Sequence, residues 1–121
     1  MILNNPHNPT GKVFTRQELL KISELVSLNP NLVVLSDEVY ERQVFDDLEF
    51  VRFASLPNMW ERTLSMYSFG KTFSMTGIRA GFMVGDSYLI ESVARVNIAT
   101  LFCVYEPLQV ALAESLEIVD K

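Results

Sequence analysis

Apolar residues recur at helical spacing in one early stretch and in short unbroken runs afterwards, and this change of pattern predicts the elements. Leu19, Ile22, Leu25 and Val26 fall on one helix face. Thr15 with Glu18 three residues later is the capping-box pattern that opens such a helix, and Asn29-Pro30-Asn31 closes it. Residues 32–35 are continuously apolar, as in a strand covered on both faces, which puts Asp37 at or just past a carboxyl end. Further strands are expected at 63–67 and 79–84, separated by a loop over 68–77. Two helices follow, one over 87–99 with Leu89, Ile90, Val93 and Val96 on one face. The other begins near Pro107 and carries Leu108, Ala111, Leu112, Leu116 and Val119. Residues 4–12 are a loop, since two Asn-Pro pairs and Thr10-Gly11 punctuate them. Residues 46–60 read as loop with a short helix, and Ile2-Leu3 as the end of a strand. Helix alternates with strand, so the fold class is α/β, with a mostly parallel sheet flanked by helices.

Composition narrows the classes of function. The 121 residues are 49% apolar and carry a net charge of -5, with 10 Lys and Arg against 15 Asp and Glu. An acidic balance argues against a general nucleic-acid binder, and no run of about 18 apolar residues is present to span a bilayer. The positive mean hydropathy supplies enough apolar surface for a core. One cysteine, Cys103, makes no internal disulfide, so a reducing compartment such as the cytosol is consistent. Cys103 is read as a small buried apolar residue, and His7 as a loop residue with no metal-ligand spacing around it. No metal site is expected. Asp46-Asp47 reads as a solvated turn.

Ligands of open α/β sheets bind beyond the carboxyl ends of the strands, and polar residues gather at those positions here. Asn8 follows the first strand, Asp37 the second and Ser68 the third. Singly, each has an ordinary explanation: Asn8 as a turn starter, Asp37 as a helix cap, Ser68 as a loop hydroxyl, Lys71 as a surface lysine. Jointly they form an ordered set. Asn5-Pro6-His7-Asn8-Pro9-Thr10-Gly11, then Ser36-Asp37-Glu38-Val39-Tyr40, then residues 68–81 from Ser68-Phe69-Gly70-Lys71 to Arg79-Ala80-Gly81 resemble the class I/II, fold type I pyridoxal-phosphate aminotransferases. Leu56-Pro57-Asn58-Met59-Trp60-Glu61-Arg62-Thr63 is similar to the branch of kynurenine aminotransferases, glutamine transaminase K and cysteine S-conjugate β-lyases.

The resemblance implies roles whose chemistry suits the residue types. The cofactor is pyridoxal 5′-phosphate, and Lys71 is the lysine that joins its aldehyde as a Schiff base, then carries a proton for the substrate. That chemistry requires a deprotonated amine, which burial and nearby positive charge favour. Asp37 keeps a proton on the ring nitrogen, so that carbanionic charge spreads into the ring. Tyr40 and Asn8 are implied as donors to the phenolic oxygen, and Ser68 and Arg79 as phosphate anchors. Arg79 offers a permanent charge and a planar fork. Gly70, Gly77 and Gly81 permit close backbone approach. Phe102 corresponds to an aromatic near the dimer interface and substrate pocket, with core packing the ordinary alternative.

On the same resemblance, residues 1–121 are expected to be an internal part of the cofactor-binding large domain, without its amino-terminal half and without the small domain. Arg42, Arg52, Arg62 and Arg95 lie outside the context of the family's substrate-carboxylate clamp. Without that clamp the piece alone is expected to be inactive, since orientation is worth about 7–11 kcal/mol of barrier. The parent protein is expected to transfer an amino group from an aromatic, kynurenine-like or glutamine-like amino acid to a 2-oxo acid. It is expected to do so as a homodimer in the cytoplasm, with a mitochondrial location left open, and with no nucleic-acid or membrane partner. β-Elimination from cysteine S-conjugates is the alternative chemistry, and a degenerate, non-catalytic cofactor-binding module the alternative class. The presence together of Asn8, Asp37, Tyr40, Ser68, Lys71 and Arg79 weighs against degeneracy.

Overall fold

The computed structural model describes residues 1–119, which divide into two compact units, Met1–Ile90 and a second beginning at Glu91. The first unit is built on a four-stranded sheet in the order β1-β2-β3-β4, with β1 at Ile2–Asn4, β2 at Val34–Asp37, β3 at Thr63–Ser68 and β4 at Gly81–Gly85. β1, β2 and β3 run parallel, and β4 returns antiparallel to β3.

Helix α1, Arg16–Ser27, links β1 to β2. Its start is the expected capping box: the Glu18 N–H donates to Thr15 Oγ1 at 3.3 Å, and the Thr15 N–H donates to Glu18 Oε2 at 2.9 Å. Its far end is held by Arg62, whose guanidinium donates to the carbonyls of Val26 at 3.0 Å and Pro30 at 3.2 Å. Leu19 and Val26 face the sheet and join Leu3 and Val34 in the core. The link from β2 to β3 contains no α-helix; two 3-10 turns, Phe53–Ser55 and Trp60–Arg62, help deliver the fully buried Phe53 and Met59 to the same core. Each large side chain buried in this way stabilises the fold by about 1.5–3 kcal/mol.

Register decides which polar residues go inside. Leu3 pairs with Ser36, Ser36 with Ser65, and Val34 with Thr63. Directly paired residues share a face, so Ser36, Thr63 and Ser65 point with Leu3 and Val34 toward α1, and all five are buried. Asp37 and Ser68 alternate to the opposite face.

Several boundaries differ from the sequence reading. The second strand occupies Val34–Asp37 instead of 32–35, because the Leu32 N–H is still bonded to the Asn29 carbonyl in the turn after α1. Asp37 is therefore the last residue of the strand. The stretch 68–77 is not all loop: it contains helix α2, Phe69–Thr72, and a 3-10 turn at Thr76–Ile78. Four residues are too few to display a helical period. The turn is instead stabilised by Phe69, which packs on Phe82 with ring centroids 5.2 Å apart. Asp46 and Asp47 form the expected exposed turn, both at positive φ.

Helix α3 spans Ser87–Thr100 and α4 spans Glu106–Leu116, with Pro107 in its first turn. Leu112 of α4 is buried, but the expectation of burial for Cys103 and of core packing for Phe102 is not met, since both are exposed. The amides of Leu101 and Phe102 both donate to the Asn97 carbonyl, and Phe102 sits at φ 67. This closing turn projects the linking residues outward. Among the described residues, no helix is long and apolar enough to cross a membrane.

The cap gives a pH signature. The hydrogen bond from Lys12 Nζ, 2.7 Å from Glu18 Oε1, and those from the Thr15 N–H and hydroxyl hold the Glu18 carboxyl at about 2, against an ordinary 4.5. A carboxyl with a lowered folded pKa adds stability that is complete above 4.5 and is lost as pH falls toward 2. Urea midpoints measured across that window should fall more steeply in the wild type than in Glu18→Gln; parallel curves would contradict the assignment. Thr15→Ala should lower stability at neutral pH by about 1 kcal/mol.

Candidate active site

All six candidate residues lie in the first unit, at or beyond the carboxyl ends of β1, β2 and β3. The loop after β1 is pinned to the end of β2: the Asn5 N–H and Asn4 Nδ2 both donate to the Asp37 carbonyl at 3.0 Å. Asn4 Oδ1 then accepts the Asn8 N–H at 2.7 Å, and the buried Asn5 side chain accepts the Phe14 N–H at 3.0 Å. The peptide bonds preceding Pro6 and Pro9 are both cis. The hydrogen bonds to Asn4 and Asp37 hold the loop at the end of β2, where Asn8 Nδ2 donates to the Tyr40 hydroxyl at 2.9 Å. Tyr40 is held in the turn after β2, with the Glu41 N–H on the Glu38 carbonyl and the Gln43 N–H on the Tyr40 carbonyl. Pro6, His7, Asn8, Pro9, Tyr40 and Gln43 line a cleft of about 230 Å³.

Lys71 sits in α2, with Nζ 5.7 Å from the centroid of the Tyr40 ring. The three motifs therefore meet: Asn8 on Tyr40, and Tyr40 beneath Lys71. Ser68 ends β3, one residue before α2. Arg79 follows the 3-10 turn at φ 51, with Nη1 donating to the Thr76 carbonyl at 3.2 Å. Ser68 and Arg79 line a second cleft, of about 210 Å³, with Gly70, Thr76 and Gly81 among its walls.

Two observations bear on what these clefts could hold. Asp37 Oδ1 is buried and has no hydrogen-bond partner; a buried carboxylate oxygen of this kind calls for a donor. The second cleft is floored by glycine. A Cβ on Gly70 would lie 3.1 Å from Thr76 Cα and 3.4 Å from Ser68 Oγ, so glycine lets the turn pack this closely, and beside it Ser68 and Arg79 offer the cleft a hydroxyl and a cation. A protonated ring nitrogen would donate to Asp37, and a phosphate would accept from Ser68 and Arg79, so both groups fit the residues present. Among the described residues, no group of three His, Cys, Asp or Glu side chains could hold a metal ion.

Three arginines outside the motifs have carboxylate partners nearby. Arg52 pairs with Glu41 at 3.2 Å, Arg42 lies 3.9 Å from Glu41, and Arg95 lies 3.8 Å from Glu91. The sequence reading missed Glu38, which is 1% exposed. Its Oε1 accepts from Ser36 Oγ at 2.8 Å and the Phe53 N–H at 3.1 Å, and its Oε2 accepts from the Tyr67 hydroxyl at 2.6 Å. A signal was present: Glu38 continues the inward alternation of Val34 and Ser36, and an acid at an inward position demands donors.

A family model described as aminotransferase class I and II matches residues 1–121. The chain is 49% identical over 118 residues to a kynurenine–oxoglutarate transaminase of Dictyostelium discoideum, covering 97% of this chain and 27% of that protein. Among solved structures, the aromatic aminotransferase of Pyrococcus horikoshii matches with TM-score 0.90 and 41% identity, over 95% of this chain and 31% of that one. Cystalysin of Treponema denticola, a structure containing a pyridoxal 5′-phosphate cofactor, matches with TM-score 0.77 and 26% identity, over 82% of this chain and 25% of that one. The chain thus spans between a quarter and a third of the length of these proteins.

The close approach of β4 to β3 at the second cleft can be tested. A Cβ on Gly81 would lie 2.5 Å from the Tyr67 carbonyl oxygen, inside the antiparallel pair Ser68–Gly81. Gly81→Ala should cost about 1–3 kcal/mol in chemical denaturation, since backbone rather than a movable side chain is in the way. Wild-type stability in that variant would show the contact to be relieved at no cost.

Proposed function

The chain belongs to the class I and II aminotransferase family, and from that premise we propose that the protein transfers an amino group from an amino acid to a 2-oxo acid with pyridoxal 5′-phosphate as cofactor. The observation that carries the proposal is the buried, unpartnered Asp37 Oδ1 in the same unit as the Asn8–Tyr40 pair and Lys71. When bound, the cofactor supplies a reactive aldehyde and a ring that accepts electron density.

The residues of this chain would bind, orient and move protons around it. Asp37 holds a proton on the ring nitrogen, and its negative charge keeps that proton in place. Asn8 donates to the Tyr40 hydroxyl, which leaves the phenolic hydrogen free to point at an acceptor on the ligand. Ser68 and Arg79 hold the phosphate through a hydroxyl and a charged fork. Lys71 would hold the cofactor aldehyde, and its amine would move a proton at the substrate's α-carbon.

The 49% identity to a kynurenine–oxoglutarate transaminase supports an aromatic or kynurenine-like amino donor. Homodimerisation, also proposed, is supported by the apolar surface at Val96, Ile98, Leu101 and Phe102, which are 61–77% exposed.

Borohydride fixation of the cofactor-loaded protein, followed by peptide mass analysis, should place the label on Lys71. Lys71→Ala should lose the label, and turnover of amino acid with 2-oxo acid should fall by about 10²–10⁴-fold or more. Undiminished turnover in that variant would overturn the assignment. Pyruvate release with no acceptor present would mark elimination in place of transfer.

A further inference from the structure

Asp37 and Ser68 end neighbouring parallel strands, and each has an adjacent residue that points through the sheet to its other face. Those residues are Glu38 and Tyr67, and they bond to each other. The Tyr67 hydroxyl donates to Glu38 Oε2 at 2.6 Å in a setting where Glu38 is 1% and Tyr67 9% exposed. The remaining Glu38 oxygen is occupied by Ser36 Oγ and the Phe53 N–H. The Tyr67 ring stacks on Phe82 at 5.0 Å, and Phe82 in turn packs on Phe69, the first residue of the helix that carries Lys71. A continuous path of contacts therefore runs from the residue beside Asp37 to the turn that presents the lysine.

We propose that the Tyr67–Glu38 hydrogen bond is a positioning tie that fixes the end of β2 against the end of β3, and thereby sets Asp37 relative to Lys71 and the protein's affinity for its cofactor. The proposal rests on the cofactor roles given above to Asp37 and Lys71. Three features support it. It is a charge-assisted bond in a water-excluded place, where such bonds are strongest. It crosses from one strand to the next, unlike the Ser36 bond to the same carboxylate, which stays on β2. Burial, and then the bond to Glu38, push the Tyr67 phenol far above its ordinary range, so it remains a donor across working pH. Arg52, paired with Glu41, is the charged neighbour of the pair.

Tyr67→Phe and Ser36→Ala each remove one donor from the same carboxylate, and they separate positioning from mere satisfaction of a buried charge. Both should lower the thermal midpoint of the cofactor-free protein. Only Tyr67→Phe, which keeps the ring on Phe82, should weaken binding of pyridoxal 5′-phosphate, by about tenfold, a usual size for coupling between a site and a residue outside it. It should also shift the pH midpoint of the absorbance of the lysine-linked cofactor, while Ser36→Ala leaves both unchanged. Equal affinities and midpoints in the two variants overturn the tie. If Tyr67→Phe does not fold, Glu38→Gln is judged by the same two measurements. The wild type supplies an independent check, because coupling is reciprocal: bound cofactor must slow hydrogen exchange at the amides of Glu38 and Phe53. Unchanged exchange there also overturns the proposal. Borohydride labelling of wild-type Lys71, done first, separates the two levels. A protein unlabelled at Lys71 undermines the functional reading, whereas a labelled protein with unaltered affinity in Tyr67→Phe undermines only the tie.

Discussion

A carboxylate with 1% of its surface exposed persists in a folded protein only where donors meet its oxygens, and the arrangement around Glu38 follows from that requirement. One oxygen takes a hydroxyl from β2 and an amide from the loop at Phe53; the other takes a phenol from β3. Three segments that are distant in sequence are thereby fixed at one point under the sheet. The Tyr67 phenol is the one donor given to Oε2, so its loss would leave a buried carboxylate oxygen unsatisfied, which costs more than a neutral bond contributes. The carboxyl ends of β2 and β3 are consequently held in register at the place where Asp37 and Ser68 emerge on the opposite face.

The site uses that fixed edge as its frame. The loop after β1 is joined to it by two hydrogen bonds to the Asp37 carbonyl, so Asn8 reaches Tyr40 by a short, fully bonded path. Lys71 and Arg79 arrive from the other side, on a short helix and a turn stabilised by packing of Phe69 and Phe82. Glycine at 70 and 81 lets backbone approach closely beside the cleft that Ser68 and Arg79 line. Rigid strand ends and tight turns carry every proposed cofactor contact, which suits a site whose chemistry depends on orientation.

Much of this was legible in the chain. The capping box at Thr15 and Glu18 is a local device with a fixed spacing, so it formed where the pattern indicated. The three motifs marked all six candidate residues, and the fold brings them to one edge of the sheet. What misled was local pattern without tertiary context. Residues 32–33 are as apolar as the strand that follows, yet the turn after α1 still holds Leu32. Phe102 and Cys103 have core-like composition but occupy a turn that projects them outward. Helix α2 is too short for any period to show, and its first residue, Phe69, packs on Phe82 from the neighbouring strand β4.

The sequence alone determined the α/β class, the capped first helix, the family and the residue types available for chemistry, because these depend on spacing within short windows. Only the tertiary structure decided that Glu38, between two residues marked as functional, turns inward and bonds to Tyr67, 29 residues away. It alone left Asp37 Oδ1 buried without a partner and set the Lys71 amine over the Tyr40 ring. The physical reason is that side-chain direction at a strand end follows from register with neighbouring strands, and register is a property of the assembled sheet.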